Sequence, residues 1–145
     1  MRANKQSDKI LVIHGPNMNL LGIRTKGKGR HLTLDKLNRH LRKSASRYEI
    51  ELKIIQSNDE GRAVSTIQRM RNKIKGILLF PGPWQYSGHV LKDTLNILSI
   101  PLVTVSTGES VDIIRGKKNY TDKNICSAGE KAIETLNKII LKHNH

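Results

Sequence analysis

Residues 10–24 read Ile-Leu-Val-Ile-His-Gly-Pro-Asn-Met-Asn-Leu-Leu-Gly-Ile-Arg. The first four form a continuous apolar run after a polar start, which is typical of a strand buried on both faces of a parallel sheet. The residues that follow are too polar and too rich in turn formers to continue it. The segment therefore predicts a central strand over 10–14 that leads into a loop carrying Asn17 and Arg24.

The alternation of buried strands and amphipathic helices continues along the chain. Further strands are predicted at 49–56, 76–80 and 101–106. Thr33 is predicted to cap a first helix, and three more helices are predicted at 60–74, 89–98 and 128–141. The residues predicted to face inward from these helices are Leu34, Leu37, Leu41, Val64, Ile67, Met70, Ile74, Val90, Leu91, Leu95, Leu98, Ala132, Leu136, Ile139 and Ile140.

Short strands that alternate with longer helices indicate βαβ crossovers and a parallel sheet. Such a sheet binds ligands at the carboxyl ends of its strands. The loops after the first, third and fourth strands are therefore the expected site. The 145 residues fit one domain, predicted over 10–145 after a basic extension over 1–9. That extension lacks the apolar core of a secretory signal, while a short organelle presequence stays open.

The charge balance is strongly basic. Lys and Arg number 26 against 12 Asp and Glu, which gives a formal net charge of +14. Such a charge repels itself unless a polyanion neutralises it, and nucleic acid is the first expectation, ahead of an acidic membrane surface. The alternative is an ordinary solvated surface. Because aromatic residues for base stacking are only 3% of the chain, binding directed by backbone or shape is expected over sequence reading. The expected partner is structured RNA, ahead of DNA.

The cations concentrate in four clusters. In the first cluster, Gly27 and Gly29 separate Lys26, Lys28 and Arg30. Residues 24–30 are therefore predicted to form a flexible cationic loop. The predicted nucleic-acid-binding residues are Lys26, Lys28, Arg30, Arg39, Arg42, Lys43, Arg69, Arg71, Lys73, Arg115, Lys117 and Lys118.

Several residues limit which cellular compartment and which cofactors are expected. The single cysteine, Cys126, excludes an internal disulfide and predicts an intracellular, reducing compartment, either cytoplasm or an organelle matrix. No apolar run approaches the ~20 residues of a membrane span. The glycines over 22–29 approximate a phosphate-binding loop but lack its Ser or Thr, and the terminal His143 and His145 lack further metal ligands.

Three motifs make the chain resemble the type II 3-dehydroquinate dehydratases from residue 10 into the last helix. They are Gly15-Pro16-Asn17-x-Asn19-Leu20-Leu21-Gly22-x-Arg24, Gln56-Ser57-Asn58-x-Glu60-Gly61, and Pro81-Gly82 before a helix with Leu91-x-Asp93. The resemblance implies a flavodoxin-like α/β sandwich of three layers with a central parallel sheet of about five strands. It also implies homotrimers that often assemble into dodecamers, and no metal or cofactor.

The resemblance implies a dehydration through an enolate, in which a tyrosine removes a proton and a histidine protonates the departing hydroxyl. Asn17 and Arg24 match the asparagine and arginine of that site. The tyrosine position is Gly29, and the carboxylate and histidine of the fourth strand are Thr104 and Ser106. Neither glycine nor a hydroxyl replaces an imidazole acid.

The implied substrate contacts also differ. The asparagine before Pro-Gly is Phe80, the next loop's histidine is Tyr86, and the late arginine aligns near Lys117 with Arg115 close by. A relocated base could be Tyr86, and a relocated acid could be His89 or His14. The alternatives are a loop aromatic, a helix-start residue and a strand-end hydrogen-bonding group.

The sequence thus predicts a catalytically inactive dehydroquinase-like protein that binds RNA in a ribonucleoprotein such as a ribosome. Two alternatives stay open. One is a diverged 3-dehydroquinate dehydratase, and the other is a scaffold that keeps the trimer surface and binds a protein partner.

Overall fold

The computed structural model describes residues 7–27, 29, 31–106, 108 and 112–143. Within these ranges, five strands alternate with six α-helices. The strands are β1 (Asp8–His14), β2 (Ile50–Gln56), β3 (Gly76–Phe80), β4 (Leu102–Ser106) and β5 (Lys118–Thr121). The helices are α1 (Leu21–Thr25), α2 (Leu34–Ser46), α3 (Glu60–Met70), α4 (Trp84–Ser87), α5 (His89–Leu98) and α6 (Ile125–His143). A 3₁₀ turn over Met18–Leu20 precedes α1.

The strands form one parallel sheet in the order β2-β1-β3-β4-β5. Val12 in β1 pairs with Ile54 in β2 and with Leu78 in β3. This order is the flavodoxin-like one, in which the winding reverses between β1 and β3 and leaves a crevice at their carboxyl ends. The predicted flavodoxin-like α/β fold with a parallel sheet of about five strands is confirmed.

Alternate residues of the strands build a separate core on each face of the sheet. Ile10 and Val12 pack with α2 and α6 on one face. Leu11 and Ile13 pack with α3 and α5 on the other. Because side chains alternate along a strand, one continuous apolar run supplies both cores. The result is a three-layer sandwich.

Two helices begin at side chains that satisfy their first backbone amides. The Thr33 hydroxyl accepts a hydrogen bond from Lys36 N, as predicted for the cap of α2. Asp59 Oδ1 accepts from Gly61 N and Arg62 N at the start of α3. Such caps stabilise a helix by about 1 kcal/mol.

Several element boundaries differ from the prediction. β1 begins at Asp8, so that residues 8 and 9, placed in the extension, belong to the sheet. The third helix ends at Met70, and Ile74 is buried from the turn before β3. Apolar periodicity records burial and does not distinguish a helix end from a turn that buries the next apolar residue.

The polar strand β5 was not predicted. It lies at the edge of the sheet beside β4, and none of its four residues is fully buried. An edge strand with solvent on one side carries no apolar run, which is why the sequence does not show it. Val90 was predicted to face inward but is 62% exposed on the outer side of α5.

Two further observations concern the single cysteine and the apolar character of the helices. Cys126 is the second residue of α6 and is buried in the core, as expected for a small apolar residue near a helix start. Across the described ranges, no helix combines the length and the apolar character needed to cross a bilayer.

Candidate active site

The loops after β1 and β3 meet at the carboxyl edge of the sheet. Gly15 N donates to Phe80 O at 2.9 Å. A Cβ on Gly15 would lie 2.8 Å from both Phe80 O and Pro81 O. This distance is too short for any side chain, so glycine is required where the two loops touch.

The loop after β1 is fixed by polar residues of the β2–α3 connection. Asn17 adopts a left-handed backbone with φ 69, which asparagine tolerates better than most residues. Its N–H donates to Asn58 Oδ1 at 2.9 Å. The Gln56 amide donates to the same oxygen at 3.1 Å and to Gly15 O at 3.2 Å. The second motif therefore supports the backbone of the first.

A second contact joins the two helices that carry the remaining motifs. Glu60 Oε2, in the first turn of α3, accepts a hydrogen bond from Leu91 N in α5 at 2.9 Å. The carboxylate satisfies one of the amide donors that a helix start leaves unpaired. Glu60 thus serves the packing of α5 against α3 in this structure.

Arg24 stands at a narrow cleft between the loops after β1, β3 and β4. The cleft holds about 10 Å³, roughly one water molecule, in this conformation. Arg24 is exposed at the end of α1, and no described residue pairs with its guanidinium. The residues that line the cleft are Pro16, Met18, Arg24, Phe80, Gly82, Pro83 and Val105.

Gly29, Thr104 and Ser106 occupy the positions at which the resemblance places the base, the carboxylate and the acid, in that order. Gly29 has φ 78, and a Cβ there would meet nothing within 4 Å. The buried Thr104 hydroxyl donates to Asn119 Oδ1 at 2.7 Å and so links β4 to β5. Ser106 Oγ is buried and has no hydrogen-bond partner within the described ranges. None of the three lines the cleft.

His14 lies behind the cleft wall. Its ring stacks on Phe80 with centroids 4.6 Å apart, and Nε2 donates to Asn38 Oδ1 at 2.8 Å. Burial lowers the pKa of His14 to about 4, and the hydrogen bond to Asn38 opposes that shift. The imidazole is therefore neutral near pH 7. Its Nδ1 is buried without a partner among the described residues.

The other two relocated candidates do not line the cleft. Tyr86 lies on α4, three residues after Pro83, and is 56% exposed. His89 is the exposed first residue of α5. Of the three candidates, Tyr86 is the exposed one on the helix that begins directly after Pro83.

Gln85 is a buried residue that the sequence did not single out. Its Nε2 donates to Ile114 O at 2.9 Å, and Ile114 N donates to its Oε1 at 2.8 Å. The side chain thus acts as a strand partner for one residue and ties the β4–β5 connection to α4. The pairing spans 29 residues, and a glutamine in a turn gives no local signal of it.

The basic clusters do not converge on one surface. Arg39, Arg42 and Lys43 are exposed on α2, which covers the opposite face of the sheet from α3, where Arg69 is exposed. Arg71 and Lys73 follow α3. Lys117 N donates to Leu102 O at the start of β4, and Arg115 and Lys118 flank it. That is the amino edge of the sheet, away from the cleft. Lys26 is exposed after α1, while Lys28, Arg30 and His145 lie outside the described residues.

The sheet order defines a flavodoxin-like protein, and the loops at its carboxyl edge enclose a narrow cleft. The model of the family described as dehydroquinase class II matches residues 8–129. The chain belongs to this family.

Individual relatives agree with that assignment. The chain is 37% identical to the 3-dehydroquinate dehydratase of Acinetobacter baumannii over 131 residues, covering 86% of this chain and 87% of that one. It is 37% identical to the enzyme of the same name from Endomicrobium trichonymphae over 97 residues, covering 67% and 68%. The type II dehydroquinase of Butyrivibrio crossotus superposes with a TM-score of 0.80 at 28% identity, covering 92% and 99%.

These findings overturn the functional prediction. The sequence was interpreted as an inactive protein that binds RNA in a ribonucleoprotein, and that interpretation was wrong. It rested on three substituted positions and on net charge, whereas the match to an enzyme family extends over most of the chain. Net charge carries no information about where the charges lie, and here they are spread over both faces and the amino edge.

Proposed function

We propose that this chain is a 3-dehydroquinate dehydratase, which was the alternative left open by the sequence. Arg24 carries the proposal. It stands at the mouth of a cleft at the carboxyl edge of the sheet, within the Gly15–Arg24 motif of a dehydroquinase-family chain. The named relatives with similarity over most of their length support the same activity.

Dehydration of 3-dehydroquinate requires a group that stabilises negative charge on the ketone oxygen. Transfer of the proton beside the ketone to a base builds negative charge on the ketone oxygen. As the charge returns to form the double bond, the C–O bond breaks and the hydroxyl takes up a proton from the solvent and departs as water. A guanidinium at the reacting centre stabilises such an enolate, since it is charged at every relevant pH and donates several hydrogen bonds. Arg24 is the ionisable residue in the cleft lining, and no described side chain neutralises it.

We assign the removal of the proton beside the ketone to Tyr86. Gly29 has no side chain, and the hydroxyls of Thr104 and Ser106 are buried and do not line the cleft. His14 is neutral near pH 7 and is separated from the cleft by Phe80. Tyr86 lies on α4, three residues after the cleft residue Pro83, and its exposure leaves the phenol accessible.

The test is turnover of 3-dehydroquinate by the purified chain. The product contains a conjugated enone, so its formation is followed by ultraviolet absorbance and confirmed by NMR. Arg24→Gln is expected to lower kcat/KM by about 10²–10³-fold, the usual loss for one transition-state donor. Arg62→Gln, an exposed arginine on α3, is the matched control and should leave turnover unchanged.

The role of Tyr86 is tested separately. Tyr86→Phe keeps the ring and removes the hydroxyl, so kcat should fall by about 10²-fold or more while KM changes little. His89→Gln and His14→Gln should retain activity. If folded protein gives no turnover above background at about millimolar substrate, the proposed function is refuted. If activity persists in Tyr86→Phe, only the assignment of the base is lost.

A further inference from the structure

Two connected hollows lie at the amino edge of the sheet, on the side away from the cleft. One holds about 390 Å³ and the other about 340 Å³. Their linings share Ser99, Ile100, Pro101 and Lys117, so the two hollows form one groove, which is here called the amino-edge groove. A volume of this size accommodates a small organic molecule.

The floor of the amino-edge groove is apolar. Ile100 and Pro101 are partly exposed in it, and Ile74 and Ile140 complete its apolar lining. The backbone adds few free polar groups, because Pro101 has no N–H and its carbonyl oxygen accepts a hydrogen bond from Ile77 N at 2.8 Å. Hydrocarbon that lies on this floor leaves water, which favours binding.

Two lysines stand on opposite sides of this floor. Lys75 precedes β3 and Lys117 precedes β5, and both are exposed in the lining of the larger hollow. Because β4 runs between β3 and β5, the backbones of the two lysines are separated by two strand spacings, about 10 Å across the sheet. Arg115 adds a further cation to the lining of the smaller hollow.

The charged side chains of the amino-edge groove are of one sign. Among the described residues that line the two hollows there is no Asp or Glu. The carbonyl ends of α5 and α6 lie at the same edge and carry roughly half a negative charge each, which is less than the charge of the two lysines. A groove lined by one sign of charge attracts ligands of the opposite sign. The amino-edge groove therefore favours a ligand with an anionic group at each end and hydrocarbon between them.

We propose that the amino-edge groove binds small dicarboxylates, with one carboxylate at Lys75, the other at Lys117, and the hydrocarbon between them on Ile100 and Pro101. An ammonium group is a point charge on a flexible stem, so each lysine reaches a carboxylate without a fixed geometry. The groove and the cleft lie at opposite edges of the sheet. The inference therefore goes beyond the proposed function, and its test needs no turnover.

Isothermal titration of the purified chain with three acids at low ionic strength tests the proposal. Suberate has a carboxylate at each end of a hydrocarbon chain, octanoate has the same number of carbons with one carboxylate, and succinate has two carboxylates on a shorter chain. Suberate should bind more tightly than octanoate by about threefold or more, since it makes one additional exposed ion pair. It should also bind more tightly than succinate, whose shorter chain covers less of the apolar floor. Added salt should weaken suberate binding.

Variants locate the site. Lys75→Gln and Lys117→Gln should each weaken suberate binding by about threefold or more and reduce its advantage over octanoate. Lys131→Gln, at an exposed lysine in the first half of α6, is the matched control and should not change the affinity. Arg24→Gln should not change it either, which separates the groove from the cleft.

Three results would each overturn the proposal. They are octanoate or succinate binding as tightly as suberate, an unchanged affinity for suberate in both lysine variants, and loss of suberate binding in Arg24→Gln. Turnover of 3-dehydroquinate without suberate binding would refute this inference alone. Suberate binding without turnover would refute the proposed function alone.

Discussion

Replacing His14 should remove a specific acid sensitivity from the stability of this protein. Burial lowers the pKa of His14 to about 4 in the folded chain, against 6.5 for the exposed imidazole. The unfolded state therefore binds more protons between these two values, and folding is favoured less as the pH falls through that window. The stabilisation is complete above pH 6.5 and is lost on acidification.

The magnitude follows from the two pKa values. Each unit of difference corresponds to 1.36 kcal/mol. Relative to neutral pH, linkage through His14 should lower the free energy of unfolding by about 2 kcal/mol at pH 5 and by about 3 kcal/mol at pH 4. The hydrogen-bond partner Asn38 and the stacked Phe80 do not titrate, so His14 is the group in this contact that responds to pH.

Urea denaturation of the wild-type chain and of His14→Gln across this pH range measures the effect. Glutamine is polar and does not titrate, so the variant should lose less stability on acidification by the amounts given above. His40→Gln, at an exposed histidine paired with Glu130, is the control and should follow the wild type. Parallel pH profiles for wild type and His14→Gln would refute a depressed pKa for this residue.

Three other perturbations have definite expectations. Asn38→Ala should lower the free energy of unfolding near pH 7 by about 1–3 kcal/mol, measured by urea denaturation, because it leaves the His14 donor buried without a partner. Gly15→Ala should cost about 1–3 kcal/mol because its Cβ would lie 2.8 Å from two carbonyl oxygens, whereas Gly61→Ala on α3 should be neutral or stabilising in the same assay. Gln85→Leu should cost about 1–3 kcal/mol for each backbone group it leaves unpaired, and hydrogen exchange over 113–114 should accelerate.

The strands that the sequence predicted best are those buried on both faces. β1, β3 and β4 carry uninterrupted apolar runs because helices cover both sides of the central sheet. β5 has the sequence Lys-Asn-Tyr-Thr and pairs with one described strand, β4. Because backbone pairing holds it in the sheet, it shows no apolar pattern that would predict it. The apolar pattern alone therefore located four of the five strands.

The candidate site was predicted in its position and missed in its internal contacts. The carboxyl edge, Asn17 and Arg24 follow from strand order and motif. The stacking of His14 on Phe80 and the pairing of Gln85 with Ile114 join residues 66 and 29 positions apart, and a single sequence gives no pairwise information at such separations. The functional prediction failed for a related reason, since summed charge and isolated substitutions were given more weight than similarity over the whole chain.

The contacts of the Gly15–Arg24 motif separate what the fold needs from what it does not. Gly15 is required by the close approach of two loops, and Asn17 by its left-handed backbone and its bond to Asn58. These residues would persist in a scaffold without any ligand. Arg24 differs, because it makes no described contact that stabilises the fold, yet it stands at the cleft. Arg24→Gln should therefore leave the free energy of unfolding nearly unchanged. Stability measured beside turnover in this variant distinguishes a working site from an inherited loop.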